Sequence, residues 1–176
     1  QIILPGMTHW QHPHFYAYFP ANCSYPSQLG EMIMAAMGAQ CMIWDTSPAA
    51  AELEEQVMLW LQVMLGLPAE FQGVIQDGAS GATLCSILTA REMVSNFESN
   101  EKGISQNRYR VYCSKETHSS IEKGVKIAGL GRKNVRKIDV DQQLAMRPDS
   151  LQLAIQEDRS RGLVPTCVVA TLGTTG

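Results

Sequence analysis

Short apolar runs alternate with amphipathic helical patterns from Gly73 onward, and this alternation constrains the fold more than any other feature of the sequence. Short apolar runs occur at residues 74–75, 109–112, 135–140 and 166–172, and each is interpreted as a strand. Between them, helical periodicity occurs at about residues 80–97 and 117–130, and after a capping box formed by Asp149 and Gln152. Strands that alternate with helices predict an α/β fold, a mainly parallel sheet flanked by helices.

The chain before this region shows a different pattern. Residues 1–25 are rich in aromatic, histidine and proline residues without sustained periodicity, which predicts an irregular segment that packs over another surface. Helical spacing predicts one helix over residues 26–38. A second helix is predicted over residues 47–65, with Ser47 as its N-cap and Pro48 at its first position.

We expect the second helix to bury one apolar stripe, made of Leu53, Val57, Leu61 and Met64. The two helices and the aromatic segment carry more apolar surface than a lone small domain could hide, which predicts a homodimer. We therefore divide the chain into residues 1–72, an irregular and helical segment packing on a dimer partner, and residues 73–176, the α/β region. Residues 98–108 are expected to be an exposed loop.

Composition narrows the classes of function. The net charge is −3, and the basic residues are scattered apart from one short stretch at residues 132–137, which favours a solvated edge over a nucleic-acid surface. No apolar run approaches the ~20 residues of a membrane span, and the N-terminus lacks a signal-peptide layout. The five cysteines are odd in number and far apart, which favours a reducing compartment, and we expect a cytoplasmic protein.

Ligands of open α/β sheets bind beyond the carboxyl ends of the strands, so the residues that follow each predicted strand are the first candidates. After the first run comes Asp77-Gly78-Ala79-Ser80-Gly81-Ala82-Thr83, which leads into a helix. Backbone N–H groups at that helix start, with the hydroxyls of Ser80 and Thr83, would form a cradle for a phosphate. A tight turn with a serine cap explains the same residues equally well.

His118 follows the second predicted strand, at or near a helix start. A histidine there could stack on a flat ring or transfer a proton, whereas a surface or capping role is the common alternative. The last predicted strand is followed by Gly173-Thr174-Thr175-Gly176, a turn with two hydroxyls at the same edge.

His9, His12 and His14 lie close in sequence but lack acidic or cysteine neighbours, so we expect hydrogen bonding there and no metal site.

Taken together, these strings resemble the group II pyridoxal-phosphate decarboxylases, the aromatic-L-amino-acid, tyrosine, tryptophan and histidine decarboxylases. The resemblance runs over essentially the whole chain in the family's order. It rests on Pro5-Gly6-Met7-Thr8-His9-Trp10, Phe15 to Pro20, Ser47-Pro48-Ala49 with Glu52-Leu53-Glu54, Gly78-Ala79-Ser80 with Ala82-Thr83-Leu84, His118-Ser119-Ser120, and Ala170-Thr171-Leu172-Gly173-Thr174-Thr175.

The resemblance implies the large domain of a fold type I enzyme with pyridoxal 5'-phosphate as its cofactor. It also implies decarboxylation of an L-amino acid, which we expect to be aromatic. It implies that Ala79 and Ser80 hold the cofactor phosphate, that His118 stacks on the pyridine ring and helps to control protonation, and that Thr175 lies beside the cofactor. For the substrate pocket it implies Trp10, Tyr18, Phe19, Pro20 and, across a dimer interface, Met42.

Met42 stands where the animal aromatic decarboxylases carry an aromatic residue, which leaves the exact substrate open. The resemblance also implies that two essential residues lie beyond Gly176: the aspartate that pairs with the pyridine nitrogen and the lysine that holds the cofactor covalently. We therefore expect the chain to be the N-terminal part of a longer enzyme.

Two other functions remain open at this point. Gly78-Ala79-Ser80-Gly81-Ala82 approximates the nucleophile elbow of serine hydrolases, although no acid and histidine follow in the required order. The chain could also bind a phosphate-bearing ligand, or only a partner chain, without catalysis.

Overall fold

Three parallel strands form the sheet in the second half of the chain. In the computed structural model the described residues are 2–18, 23–104 and 108–173, and they divide into two compact units, Gln1–Val74 and Ile75–Gly176. The strands are β1 (Tyr109–Ser114), β2 (Val135–Ile138) and β3 (Val164–Val169), in the order β2-β1-β3. Because both pairings are parallel, the carboxyl ends of all three strands meet at one edge.

Four helices belong to this second unit: α3 (Ala79–Val94), α4 (Glu98–Lys102), α5 (Ser120–Ile127) and α6 (Pro148–Ser160). One face of the sheet packs on α3 and α5, where Val111, Cys113 and Val125 are fully buried. The other face packs on α6, where Tyr112 and Ala154 are buried. The expected α/β architecture, a mainly parallel sheet with helices on both faces, is confirmed.

The first unit consists of helices α1 (Tyr25–Met37) and α2 (Pro48–Met64), with 3-10 turns at Leu4–Gly6 and Trp44–Thr46. Helix α1 begins with a capping box in which Ser24 and Ser27 exchange side-chain bonds with backbone N–H groups. It ends at Gly38, whose φ of 59° is the left-handed conformation that glycine adopts without strain. Both predicted helices are present, shifted by a residue or so.

The apolar stripe predicted on α2 is not buried. Leu53 and Met64 are 61% and 72% exposed, and Leu61 is 40% exposed. The periodicity correctly predicted the helix, but of the four stripe residues only Val57 is half-buried within the described part of this unit. Ser47 is the N-cap of α2 and Pro48 its first residue, as predicted, although the Ser47 side chain makes no capping hydrogen bond.

The predicted first strand of the α/β region is absent. Residues 74–75 belong to no helix or strand and are more than half exposed, and the sheet formed by the described residues does not include them. A run of two apolar residues is too short to identify a strand, because a strand is defined by its ladder of hydrogen bonds to a neighbour.

Two local predictions are corrected by the structure. Asp149 is inside α6, whose N-cap is Arg147, so the capping box is not formed and the Asp149 carboxylate instead pairs with Arg147. The loop predicted over residues 98–108 begins with the short helix α4, stabilised by an i,i+4 ion pair between Glu98 and Lys102.

Within the described ranges, none of the helices combines the length and apolar character that a bilayer crossing requires.

Candidate functional site

The carboxyl ends of β1 and β3 are joined by side-chain hydroxyls. Thr117, which follows β1, places its Oγ1 2.9 Å from Ser114 Oγ and 3.4 Å from Thr171 Oγ1, which follows β3. The sequence predicted a site at this edge, but none of these three residues was singled out. Their only signal was a hydroxyl residue close after each strand, which is common in turns.

His118 lies in the turn between β1 and α5 and its side chain is exposed. Its Nδ1 accepts a hydrogen bond from the backbone N–H of Ser120, 3.2 Å away, at the first position of α5. In the neutral ring this bond leaves the proton on Nε2. The histidine therefore caps the helix through one nitrogen and presents the other nitrogen and the ring face to a ligand, so the two predicted roles are compatible.

The first turn of α3 is uncapped by side chains. Gly78 is its N-cap, no side-chain capping bond is made there, and the first turn contains no acidic residue. The leading N–H groups of a helix have no partner within the helix, and the positive end of the helix dipole lies at the same place. Ala79 and Ser80, the predicted phosphate ligands, are the first two residues of this helix.

Asp77 lies close to this helix start. A Cβ on Gly81 would come within 2.8 Å of the Asp77 carboxylate oxygen, so the glycine leaves room for that carboxylate. The Asp77 residue is exposed.

The helical position of Ser80 also bears on the hydrolase alternative. A nucleophile elbow places its serine on a strained turn between a strand and a helix. Here Ser80 is inside α3, and the residues before the helix do not form a strand. The structure gives no support to a serine nucleophile at this position.

A cavity of about 490 Å³ lies beside the start of α3. Its wall comes from the first half of α3, from the beginning of α5 and from the carboxyl end of β3. The lining residues are Ala79, Ala82, Thr83, Ser86, Ile87, Ile121, Cys167, Val168, Val169 and Ala170. Its volume is typical of small-molecule sites, and an apolar wall next to uncapped N–H groups fits a flat ring that carries a phosphate.

The helices α3 and α5 approach closely beside this cavity. A Cβ on Gly124 of α5 would lie 3.0 Å from the Ile87 side chain of α3 and 3.7 Å from that of Thr83. His118 precedes Ile121 by about one helical turn, and Ser80 adjoins Ala79. The convergence of Ser80, His118 and Thr175 on one ligand stays a prediction, since Thr175 lies outside the described residues.

Neither cysteine of the sheet is suited to act as a nucleophile. Burial raises the pKa of both the Cys113 and the Cys167 thiol, so both stay protonated near neutral pH.

At the sheet edge, an exposed ion pair joins Lys115 and Asp139, and this pairing raises the pKa of the lysine and lowers the pKa of the aspartate.

The predicted substrate residues belong to the first unit. The Trp10 ring stacks on Phe15 and Tyr18, with centroid distances of 5.2 Å and 5.4 Å. Met42 is 74% exposed. Phe19 and Pro20 lie outside the described residues. The substrate roles of these side chains stay predictions.

The histidines near the N-terminus are hydrogen-bonded locally. His12 Nδ1 accepts from the backbone N–H of His14, 3.2 Å away. Across residues 2–18, 23–104 and 108–173, no group of three or more His, Cys, Asp or Glu side chains is arranged to hold a metal ion.

Known proteins are similar to this chain in sequence and in fold. Human histidine decarboxylase is 42% identical over 100% of the chain, which spans 28% of that enzyme. The aromatic-L-amino-acid decarboxylase of Sus scrofa is 42% identical over 99% of the chain, which spans 38% of it. The crystal structure of Oryza sativa TDC with PLP and tryptamine matches with a TM-score of 0.88 and 36% identity, over 99% of this chain and 37% of that one.

The chain thus spans roughly a third of the length of these relatives (28% and 38% for the two enzymes). The family model described as the pyridoxal-dependent decarboxylase conserved domain matches residues 1–176, the full length of the chain. The uncapped start of α3 and the cavity beside it suit the phosphate and ring of the cofactor after which that family is named. The chain belongs to the pyridoxal-dependent decarboxylase family.

Proposed function

We propose that the complete protein containing this chain removes the carboxyl group of an L-amino acid with an aromatic side chain, forming the amine and carbon dioxide with pyridoxal 5'-phosphate as cofactor. The match of the decarboxylase family over every residue of the chain carries this proposal. The aromatic cluster of Trp10, Phe15 and Tyr18 favours a ring-bearing substrate, as do the named substrates of the relatives.

The cofactor phosphate would bind at the start of α3. Backbone N–H groups and the Ser80 hydroxyl would donate to its oxygens there, and the small Ala79 side chain would let the phosphate approach. The helix dipole adds a favourable field for the negative charge. Thr175 would lie beside the cofactor at the sheet edge.

His118 would lie on the face of the cofactor ring. When bound, pyridoxal phosphate supplies an electron-accepting ring that stabilises the charge left on Cα as carbon dioxide departs. The bond from the Ser120 N–H to Nδ1 holds the imidazole in one orientation, and Nε2–H remains able to donate to a neighbouring oxygen or to transfer a proton.

Two substitutions separate ring stacking at His118 from helix capping. His118→Asn keeps an acceptor for the Ser120 N–H without a stacking ring, whereas His118→Phe keeps a flat ring without the acceptor. We expect both to lower kcat by about 10²–10⁴, the effect of losing an acid–base or positioning group. Only the phenylalanine variant should retain the visible absorbance of the bound cofactor.

The measurement is decarboxylation and cofactor absorbance of the complete protein, with L-phenylalanine, L-tyrosine, L-tryptophan and L-histidine as substrates. Near-normal turnover of His118→Asn would show that the histidine only caps α5. Release of carbon dioxide from none of the four amino acids by the unmodified protein would contradict the proposed activity.

We further propose that the complete protein is a homodimer in which apolar side chains of the first unit are covered by the partner. The apolar faces of α1 and α2 support this, since Leu29, Ile33, Met37 and Leu53 are each more than half exposed. Trp10, Tyr18, Phe19, Pro20 and Met42 would contribute to the substrate pocket. Exposed apolar patches of this extent mark interaction surfaces in soluble proteins.

A further inference from the structure

The turn that carries His118 is anchored at three points. The backbone N–H of Thr117 donates to the Ser114 carbonyl, 3.3 Å away, and closes the turn after β1. The Thr117 hydroxyl lies 2.9 Å from that of Ser114 and 3.4 Å from that of Thr171. On the other side, the His118 ring is held by the first N–H of α5.

Closing the turn does not require the bond to Thr171. The bonds between Thr117 and Ser114 are local, and they would hold the same turn on an isolated strand end. Thr171 is 54 residues away along the chain and follows β3. The bond from Thr117 to Thr171 therefore fixes the turn relative to another strand.

The segment next to Thr171 forms part of the cavity wall. Val169 and Ala170 line that cavity, and Thr171 follows them directly. Ser114 is only 4% exposed, Thr117 is half-buried, and Thr171 is exposed at the end of the chain of hydroxyls. The hydroxyl chain thus sets the position of the His118 turn against the wall that would face the cofactor.

We propose that Thr117 is a positioning residue, whose hydroxyl holds His118 at the correct height over the cofactor ring by tying its turn to the end of β3. This inference rests on the proposed function, because it gives His118 its role on the ring. Thr117 itself does not touch the reacting atoms. Its contribution is to the placement of a neighbouring side chain, and small misplacements of such groups reduce turnover strongly.

Thr117→Val tests this proposal in the complete protein, because valine keeps the branched shape and removes the hydroxyl. We expect kcat to fall roughly 5-fold to 50-fold, with KM nearly unchanged and the circular dichroism of the bound cofactor altered. Thr117→Ser retains the hydroxyl and should restore both kcat and the cofactor signal. Thr171→Val removes the same bond from the other side and should reproduce the Thr117→Val effect.

Thr89→Val is the matched control. The Thr89 hydroxyl donates to the Cys85 carbonyl, 2.9 Å away within α3, and lies on the exposed side of that helix. The same hydroxyl-to-methyl change should leave kcat and the cofactor signal as in the unmodified protein.

The outcomes separate this inference from the proposed function. An active enzyme in which Thr117→Val keeps normal kcat, or in which Thr117→Ser is as impaired as Thr117→Val, overturns the positioning role alone. If Thr117→Val fails to fold, normal turnover of Thr171→Val overturns it as well. An unmodified protein that binds no pyridoxal phosphate overturns the proposed function, and the positioning role with it.

Discussion

Asp158 is 2% exposed on the α6 face of the sheet, where it meets side chains from two strands. Its carboxylate accepts from Tyr112 Oη at 2.9 Å and from Arg136 at 2.8 Å, and the Arg110 Nε lies 3.8 Å away. A buried charge is tolerated only when it is paired and hydrogen-bonded. This cluster therefore ties α6 to both β1 and β2.

Replacing Asp158 should destabilise the fold much more than replacing an exposed aspartate of the same helix. For Asp158→Ala we expect a loss of about 3 kcal/mol, because the arginines and Tyr112 lose their shared acceptor while remaining partly buried. Asp149→Ala breaks an ion pair with Arg147 whose side chains are 60% and 50% exposed, so its effect on the free energy of unfolding should be much smaller. Urea denaturation of the complete protein measures both, and equal effects would contradict the role of the buried cluster.

Tyr112 should make stability decline at high pH. Burial, and then its hydrogen bond to Asp158, raise the pKa of Tyr112 above its usual value of 10.0. Below pH ~10 the phenol is protonated in both states; above it the unfolded chain ionises while the folded protein does not, so the free energy of unfolding falls.

Two tyrosine-to-phenylalanine substitutions test this pH dependence of the unfolding free energy. Tyr112→Phe should flatten the decline in unfolding free energy above pH ~10, because the ionisable group is gone. Tyr16→Phe changes a side chain that is 85% exposed and should leave the decline intact. Parallel pH profiles for the unmodified protein and Tyr112→Phe would contradict this expectation.

At the scale of single elements, local sequence signals identified the helices but not their exact ends. Helix α5 ends in a Schellman motif: Gly129 has a φ of 76°, and the N–H of Leu130 reaches back to the Val125 carbonyl at 3.1 Å. The sequence predicts this helix over about residues 117–130, which extends both its start and its end beyond Ser120–Ile127. The start differs because residues 115–118 form the turn that carries His118.

Local sequence signals failed where the structure depends on residues that are far away in the sequence. Burial of the α2 stripe depends on what covers it, and a strand at residues 74–75 depends on a neighbour in the sheet. The link between Thr117 and Thr171 depends on β3 lying beside β1, and strand order is not encoded in local periodicity. His118 and Ser80 could be singled out because their positions follow from single strand or helix ends.

The close contact of α3 with α5 should tolerate no large side chain at Gly124. Gly124→Leu would force the helices apart, since even a Cβ lies 3.0 Å from the Ile87 side chain, and overpacking of this kind costs about 1–3 kcal/mol. Lys123→Leu introduces the same side chain on the exposed side of α5 and should be nearly neutral. Thermal unfolding of the complete protein distinguishes the two, and a stable Gly124→Leu variant would contradict close packing.

At the scale of the whole molecule, the sequence predicted the α/β architecture and the family, because a resemblance over the full chain adds up many weak local matches. The packing of the first unit's exposed apolar residues on a dimer partner stays a prediction. Two leucines of similar exposure, Leu29 on α1 at 59% and Leu153 on α6 at 61%, allow a direct test of the proposed dimer.

We expect light scattering of the complete protein to give the mass of a dimer. Leu29→Glu should shift the mass toward a monomer, because a charge buried in an apolar interface without a partner is strongly unfavourable. Leu153→Glu should leave the dimer intact. A monomeric unmodified protein, or a dimer insensitive to Leu29→Glu, would contradict the proposed interface.

The order of the strands has a consequence for synthesis on the ribosome. β1 is the central strand of the described sheet and also the first of the three to be translated. As β2 and then β3 leave the ribosome, each can add to an edge that is already present, one on either side of β1. Folding of this region can therefore proceed outward with chain growth, without a finished pair of strands having to separate and admit a third.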